Sequence, residues 1–429
     1  MDMKIIVYTY EATKNKKTGI ENHALQLIRT LQLDHILEAI IQLDRRLPLY
    51  NNPKYLIPTF LLLRSVIHNL KIFVTAFKSI FFNREKQVRN AIFYRADVLN
   101  DKFKYPLGPI YENFSKLHIS KCLYDIIRFN YILDKRAALI EIPKIDGANI
   151  FWLTAPFPMY MKDTFNVCTI HDTFIDSSEL MLKDGQNTRQ RKLEQVLNKF
   201  DLILPVSDYT RGQLLALYPQ IDPNKIRVVY QALPEKVRYL PHPTEQNIFL
   251  QKLGVSSKEY LLHVGTLLPR KNQKNIIMAY INSGSNLPLI MVGKKSCGLD
   301  EELSKLIKQN HPKVIWLKYI ADEELNILYH NAVALIFVSL LEGFGIPILE
   351  AFYHQCPVLT SNTSAIPEVA GDAVLYVDPH SIADISQGIE KITNDLLLQK
   401  KLITAGNQQL VKFSDEAISA QINNALRCL

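Results

Sequence analysis

Short apolar, β-branched runs alternate along this chain with longer segments of helical periodicity. That alternation restricts the fold to parallel sheets covered by helices on both faces. In the first half, Lys4–Thr9, Ala91–Tyr94, Ile150–Leu153, Val167–Ile170 and Leu202–Val206 read as buried strands. In the second half, Tyr260–Val264, Leu289–Val292, Val314–Leu317, Ala334–Val338, Pro357–Leu359 and Val374–Val377 read likewise. Glu21–Leu31, Arg189–Lys199 and Asp322–Asn331 carry an amphipathic helical pattern, and Asp415–Leu426 reads as a closing helix. A chain of 429 residues exceeds what one core serves, so two such α/β units are expected. Pro234, Pro241 and Pro243 fall among charges in Ala232–Gln246, which reads as an exposed linker between the units.

Hydrophobic residues make up 48% and charged residues 21%, which excludes a disordered chain. The five cysteines are scattered and form no Cys-x-x-Cys pair, arguing against a disulfide framework or zinc site and for a reducing compartment. Met1–Lys4 runs straight into a strand, with no basic and apolar regions of a signal peptide. No uninterrupted apolar run reaches the roughly 18 residues of a membrane span, so a soluble or peripheral, cytoplasmic protein is expected. The net charge of +8 suits an anionic partner. Without zinc-finger spacing, an arginine-rich helix or an RNP-like aromatic motif, nucleic acid is not that partner.

Residues 55–82 are strongly apolar, yet Arg64, Lys71 and Lys78 recur at a heptad interval. Two readings stand: a core helix with one solvated edge, or an interfacial helix resting on an anionic membrane.

The chemistry concentrates in Ala334–Leu359, which reads as strand, glycine-containing loop, helix and second strand. Gly343 and Gly345 permit close backbone approach, and Pro347 suits the first position of the helix. A helix start beyond a parallel strand is where α/β folds hold phosphates. Glu342 precedes the glycines and Glu350 is expected in the first helical turn; either carboxylate can accept sugar hydroxyls. Upstream, His263-Val-Gly-Thr-Leu-Leu-Pro-Arg-Lys-Asn272 reads as a strand ending at Gly265, then a loop delivering Arg270 and Lys271. Adjacent cations of that kind suit a diphosphate whose charge grows as a bond breaks. Val167-Cys-Thr-Ile-His171-Asp172 sets a histidine and an aspartate at another strand's carboxyl end.

Glu342-Gly-Phe-Gly-Ile-Pro-Ile-Leu-Glu350 resembles the E-x7-E signature of retaining GT-B glycosyltransferases of family four, the glycosyl transferases group 1. The loop ending at Asn272 resembles that family's "V-G-T-x-x-P-R-K-N", with Thr266 standing where some members carry arginine. His171-Asp172 resembles its "His-Asp", Ser361–Asp372 a stretch lining its donor cleft, and Ser207-Asp-Tyr-Thr210 its "V-S-x-x-T" helix cap. Thr18–His23 resembles its first glycine loop, of which this chain keeps Gly19 alone.

The resemblance implies two Rossmann-like domains facing a cleft: an acceptor-binding domain of residues 1–235, with the helix of 412–429 packing back, and a donor-binding domain of residues 236–411. It implies that Glu350 binds the nucleotide ribose and that Glu342 and His171 contact the transferred sugar. Gly265, Thr266, Arg270 and Lys271, with the backbone of Gly343, Phe344, Gly345 and Ile346, would meet the diphosphate or sugar. Gly19 and Asp172 would lie on the substrate side. The variants resemble bacterial mannosyl- or rhamnosyltransferases of surface polysaccharides, implying a GDP- or dTDP-linked hexose donor, no metal, and a glycan or lipid-linked acceptor at the inner face of the membrane.

Other classes fit less well. A nicotinamide oxidoreductase would show Gly-x-Gly-x-x-Gly after Lys4–Thr9 or Tyr260–Val264, and neither is followed by it. A phosphorylase of similar architecture would need a pyridoxal-phosphate lysine. A non-catalytic binding protein of the same fold would be expected to lose Glu342, Lys271 or His171, all of which are present.

Overall fold

The computed structural model describes residues 3–8, 36–42, 92–95, 116–120, 139–142, 144–173, 185–294 and 301–427, together with Leu27 and Leu31. Gly19 and the basic-striped segment 55–82 lie outside the described residues. The chain forms two compact units. One comprises Met1–Ile170, Leu182–Leu204 and Leu217–Arg227; the other comprises His171–Met181, Pro205–Ala216 and Val228–Leu429.

The strands of the first unit are β1 (Lys4–Tyr8), β2 (Ile36–Gln42), β3 (Ile92–Arg95), β4 (Lys116–Ser120), β5 (Ile140–Ile142), β6 (Ile150–Leu153), β7 (Met159–Met161), β8 (Phe165–Ile170) and β9 (Leu202–Pro205). A seven-stranded sheet has the order β3-β4-β2-β1-β6-β8-β9, and β5 pairs with β7 in a small sheet of its own. Ile5, Ile6 and Val7 of the central strand are wholly buried, as a strand covered on both faces requires. The expected all-parallel sheet needs one correction, because β3 pairs antiparallel with β4 at the edge. The helix expected at Arg189–Lys199 is α1 (Gly185–Lys199), and α2 (Asp208–Leu217) follows β9.

The second unit continues with α3 (Pro243–Lys252), β10 (Leu261–Val264), α4 (Gln273–Asn282), β11 (Leu289–Val292), α5 (Glu301–Gln309), β12 (Val314–Leu317), α6 (Asp322–Asn331) and β13 (Ala334–Phe337). It closes with α7 (Ile346–Tyr353), β14 (Val358–Ser361), α8 (Ile366–Ala370), β15 (Leu375–Val377), α9 (Ile382–Asn394), α10 (Leu396–Leu410) and α11 (Asp415–Leu426). Its sheet order is β12-β11-β10-β13-β14-β15, parallel throughout.

Strand alternation builds two cores in this unit. Leu262, Ile290, Leu335 and Phe337 face one cluster, joined by Ile348, Leu349 and Phe352 of α7. Leu261, Met291, Ala334 and Ile336 face the other, joined by Ile276 and Ile277 of α4 and Ile389 of α9. Successive residues of β13 therefore enter opposite cores, which is why the strand is apolar without a break.

The stretch Ala232–Gln246, expected as an exposed linker, keeps Glu235, Arg238, Tyr239 and residues 242–245 exposed but is anchored in structure. Ala232, Leu233, Val237 and Gln246 are buried, and Leu233 and Val237 join the α7-side cluster. The prolines there start structure rather than prevent it: Pro234 caps a short 3-10 turn and Pro243 opens α3. The closing helix α11 packs on this stretch and just before it, with Asp415 paired to Arg238 and Gln421 accepting from the Tyr230 amide at 3.0 Å. No described helix is long and apolar enough to cross a membrane.

Candidate functional site

In the second unit, β10 lies between β11 and β13, so the strand order reverses between β10 and β13. The crevice outside the carboxyl ends of strands at such a reversal is where open α/β sheets bind ligands. The two loops singled out in the sequence leave the sheet there, one after β10 and one after β13.

The first loop is fixed along its length. Gly265 donates to the Val292 carbonyl and Leu267 to the Lys294 carbonyl, each at 2.9 Å. Pro269–Lys271 form a 3-10 turn, and Asn272 then takes a left-handed conformation with its amide donating to the Pro379 carbonyl at 2.7 Å. Gln273 closes the loop by donating to the Thr266 carbonyl at 3.0 Å. The second loop is tied to the first, because the Leu340 amide donates to the Arg270 carbonyl at 2.8 Å. Further along, the Glu342 amide donates to the Ser364 hydroxyl and the Ser207 hydroxyl donates to the Gly343 carbonyl at 2.7 Å. Gly345 precedes α7 with φ 111°, a value an L side chain would strain, and the helix start behind it offers amides to an outside acceptor.

Arg270, Lys271 and Glu342 form one ionic triad. Arg270 donates to Glu342 Oε2 at 3.0 Å and to the Leu341 carbonyl at 3.2 Å, while Lys271 pairs with Glu342 Oε1. The Lys271 ammonium also lies 5.1 Å from the centre of the Phe337 ring. Burial alone would raise the Glu342 carboxyl, but Lys271 and Arg270 outweigh it and hold the group below its ordinary value. Asp172 lies close enough to add to the hold on the Lys271 charge. Gly265 is half-buried and Thr266 exposed beside the triad, whereas the Phe344 ring is buried against Tyr230 and Phe413. Phe344 therefore has only its backbone to offer a ligand.

Glu350 sits in the opposite electrostatic setting. It falls in the second turn of α7 rather than the first, and Pro347 is the second helical residue rather than the first. Its carboxylate is buried and accepts from the Tyr329 hydroxyl at 2.8 Å. Burial pushes its carboxyl up, against the pull of Lys236 and the Tyr329 hydrogen bond. Tyr329 is held in turn by stacking on His354, with ring centres 6.0 Å apart.

His171 and Asp172 lie against the second loop. A Cβ on Gly343 would stand 2.1 Å from the His171 carbonyl oxygen and 3.1 Å from Asp172 Cβ. His171 Nδ1 is 3.2 Å from the Gln231 amide nitrogen, whose N–H donates to it or to a neighbour as the tautomer dictates. Ser207 caps α2 by accepting from the Thr210 amide at 3.0 Å, as its sequence reading expects. Glu368 accepts from the Asp208 and Tyr209 amides at the same helix start. The structure thus brings His171, Asp172, Arg270, Lys271, Glu342 and Gly343 together, and Glu350 lies one and a half turns into the helix that Gly345 and Ile346 open. Sequence reasoning passed over His263, Ser339, Gln231 and Tyr329 as site residues. Of these, His263 stood in a quoted motif, but nothing in its spacing marked it. Among the described residues, no group of three or more His, Cys, Asp or Glu side chains is arranged to hold a metal ion.

Residues 245–409 match the family model described as glycosyl transferases group 1. The O-antigen chain mannosyltransferase B of Escherichia coli is 33% identical over 273 residues, 61% of this chain and 70% of that protein. The serotype-specific mannosyltransferase WbdA of Escherichia coli is 26% identical over 258 residues, 58% of this chain and 31% of that longer protein. In fold, the chain is similar to HepE of Anabaena, solved with UDP and glucose, at a TM-score of 0.65 and 14% identity with both chains fully covered. With the doubly wound unit, its switch-point loops and these relatives in hand, the chain belongs to the glycosyl transferases group 1 and is a glycosyltransferase of the GT-B fold.

Proposed function

We propose that this glycosyltransferase moves a mannose-like hexose from a nucleoside diphosphate sugar, GDP-linked before dTDP-linked, to a growing surface polysaccharide or lipid-linked glycan, with retention at the anomeric carbon. The observation that carries the reading is the Arg270–Lys271–Glu342 triad at the switch point, beside the start of α7. Two fixed cations and a helix start are the groups that a departing diphosphate needs. The sugar follows from the relatives, which are named as mannosyltransferases, one of them of the O-antigen chain.

Arg270, Lys271 and the backbone of Gly265, Thr266 and Gly343–Ile346 hold the diphosphate. Glu350 accepts the ribose hydroxyls, and Glu342, His171 and Asp172 face the transferred sugar. No covalent nucleophile is assigned. The anomeric carbon–phosphate oxygen bond breaks, the bond to the acceptor oxygen forms on the same face, and the acceptor proton passes to the leaving diphosphate. Arg270 and Lys271 stabilise the charge that builds there. The direct test is incubation with GDP-mannose and a polyprenyl-linked glycan, with NMR of the product. An α-linked product from the α-configured donor is expected; a β-linked product overturns retention.

A second test addresses Glu350. Its ionised form is the better acceptor for ribose hydroxyls, and its carboxyl is raised by burial. Nucleoside diphosphate affinity is therefore expected to rise as pH rises through the value Glu350 has in the folded protein. Tyr329→Phe removes a donor to the ionised form, so it moves this limb to higher pH and weakens binding at neutral pH by about 3- to 10-fold. Calorimetric titration from about pH 5 to about pH 8 reads both effects. A limb that does not move in Tyr329→Phe removes Glu350 from the ribose site.

A further inference from the structure

His263 is the third residue of β10, wholly buried, and the reaction as drawn above makes no use of it. Its Nδ1 lies 2.9 Å from the Ile336 carbonyl oxygen of the neighbouring strand β13. A carbonyl only accepts, so Nδ1 carries the proton and Nε2 presents a lone pair. Burial pulls the imidazole down to about 4, which keeps that lone pair available at neutral pH. No described residue forms a hydrogen bond with Nε2. An acceptor sealed in a protein interior without a donor is costly, and an aliphatic residue would satisfy this strand position at no such cost.

Nε2 and the stem of Lys271 lie on the same glycine of the first loop. A Cβ on Gly265 would stand 3.7 Å from Nε2 and 3.6 Å from Cδ of Lys271, so the imidazole and the lysine stem flank the same glycine. Lys271 and Glu342 both act electrostatically on the ring. Ser339, just past β13, adds a second buried hydroxyl with no hydrogen bond of ordinary geometry, and it lies close enough to Glu342 to favour the ionised carboxylate. An ammonium has three donors and accepts nothing. Glu342 occupies one of them in the triad, and Glu342 is also the carboxylate that a sugar hydroxyl would claim.

We propose that His263 is a positioning residue for Lys271, its Nε2 taking an ammonium N–H when Glu342 turns to the transferred sugar, so that the charge stays fixed at the diphosphate. Ser339 acts on the other partner, donating to the carboxylate as it loses the lysine. The inference rests on the donor-site reading above and assigns that site a support on its strand side.

Three variants of the full chain test it. His263→Gln can bring its amide oxygen to the position of Nε2. His263→Asn reaches the Ile336 carbonyl but leaves the Nε2 position empty, and His263→Phe fills the ring volume and reaches neither. The expectation is that His263→Asn and His263→Phe lose about 10- to 100-fold in kcat, the size of one charge-assisted hydrogen bond, while His263→Gln recovers to within about 5-fold. A histidine kept only for its bond to Ile336 gives the reverse order, with His263→Asn the better enzyme, and that order overturns the proposal. Nitrogen NMR of the imidazole supplies a readout independent of turnover. An unprotonated Nε2 whose signal moves on adding the nucleoside diphosphate sugar is expected; an Nε2–H tautomer overturns the assignment. Lys271→Ala measured alongside separates the two failures. If Lys271→Ala transfers sugar like the unaltered chain, the donor-site reading has failed; if only His263→Asn does, the positioning role alone has failed.

Discussion

Lys271→Ala is expected to abolish detectable transfer, to weaken nucleoside diphosphate binding by about 100-fold, and to cost about 3–5 kcal/mol of stability in the second unit. The stability loss arises because Glu342 is 5% exposed and would be left in the interior with Arg270 as its one remaining ionic partner in the triad. Removing both charges separates folding from function. In Lys271→Met/Glu342→Gln the buried ammonium and carboxylate are both gone and the one charge left in the triad is the partly exposed Arg270 guanidinium, so most of the stability is expected to return while transfer remains lost. Denaturant unfolding and a transfer assay on the two variants check this. A double variant that regains activity with its stability would show the triad to be a structural ion pair only.

Gly343→Ala is expected to lower kcat by about 100- to 1,000-fold and nucleoside diphosphate affinity by the smaller factor of about 10-fold, since Lys271 and Glu350 stay in place while the loop backbone shifts. The added methyl would meet the His171 carbonyl oxygen at 2.1 Å, which no side-chain rotation relieves because the atom is backbone. Either the second loop or the His171–Asp172 segment must move by more than an ångström. The sugar-facing groups then lose their register, while Lys271 and Glu350 keep theirs. Gly212→Ala is the control: its site in α2 is open, with nothing within 4 Å of the added carbon, and it is expected to change neither quantity by more than about 2-fold. Equal loss of nucleotide affinity and turnover in Gly343→Ala would contradict the division of labour between the two parts of the site.

Much of the second unit was legible in the sequence because its strands are dominated by apolar residues, with β11 and β13 buried throughout. All six, from β10 to β15, lie where apolar runs stand. The first unit was less open. Ile36–Gln42 and Lys116–Ser120 interrupt their apolar residues with glutamate, lysine and histidine, so β2 and β4 drew no notice. Ala232–Gln246 was misread because proline marks helix starts as well as linkers, and the burial of Leu233 and Val237 depends on partners distant in the chain. At the site, motif spacing picked out Arg270, Lys271 and Glu342 but assigned them separate tasks. Their pairing depends on β10 lying beside β13, which is a fact of topology that spacing does not encode. The same holds for the Tyr329 hydroxyl on Glu350 and for the buried His263 beneath Lys271.

The claim on which the rest depends is that the Arg270–Lys271–Glu342 loops receive a nucleoside diphosphate. Calorimetric titration of the purified full chain with GDP, UDP and dTDP, repeated on Lys271→Ala, tests it most directly. Saturable binding with GDP preferred, weakened about 100-fold in Lys271→Ala, is the predicted result. Binding that is unchanged in Lys271→Ala, or no binding of any of the three nucleotides to the unaltered chain, would contradict it.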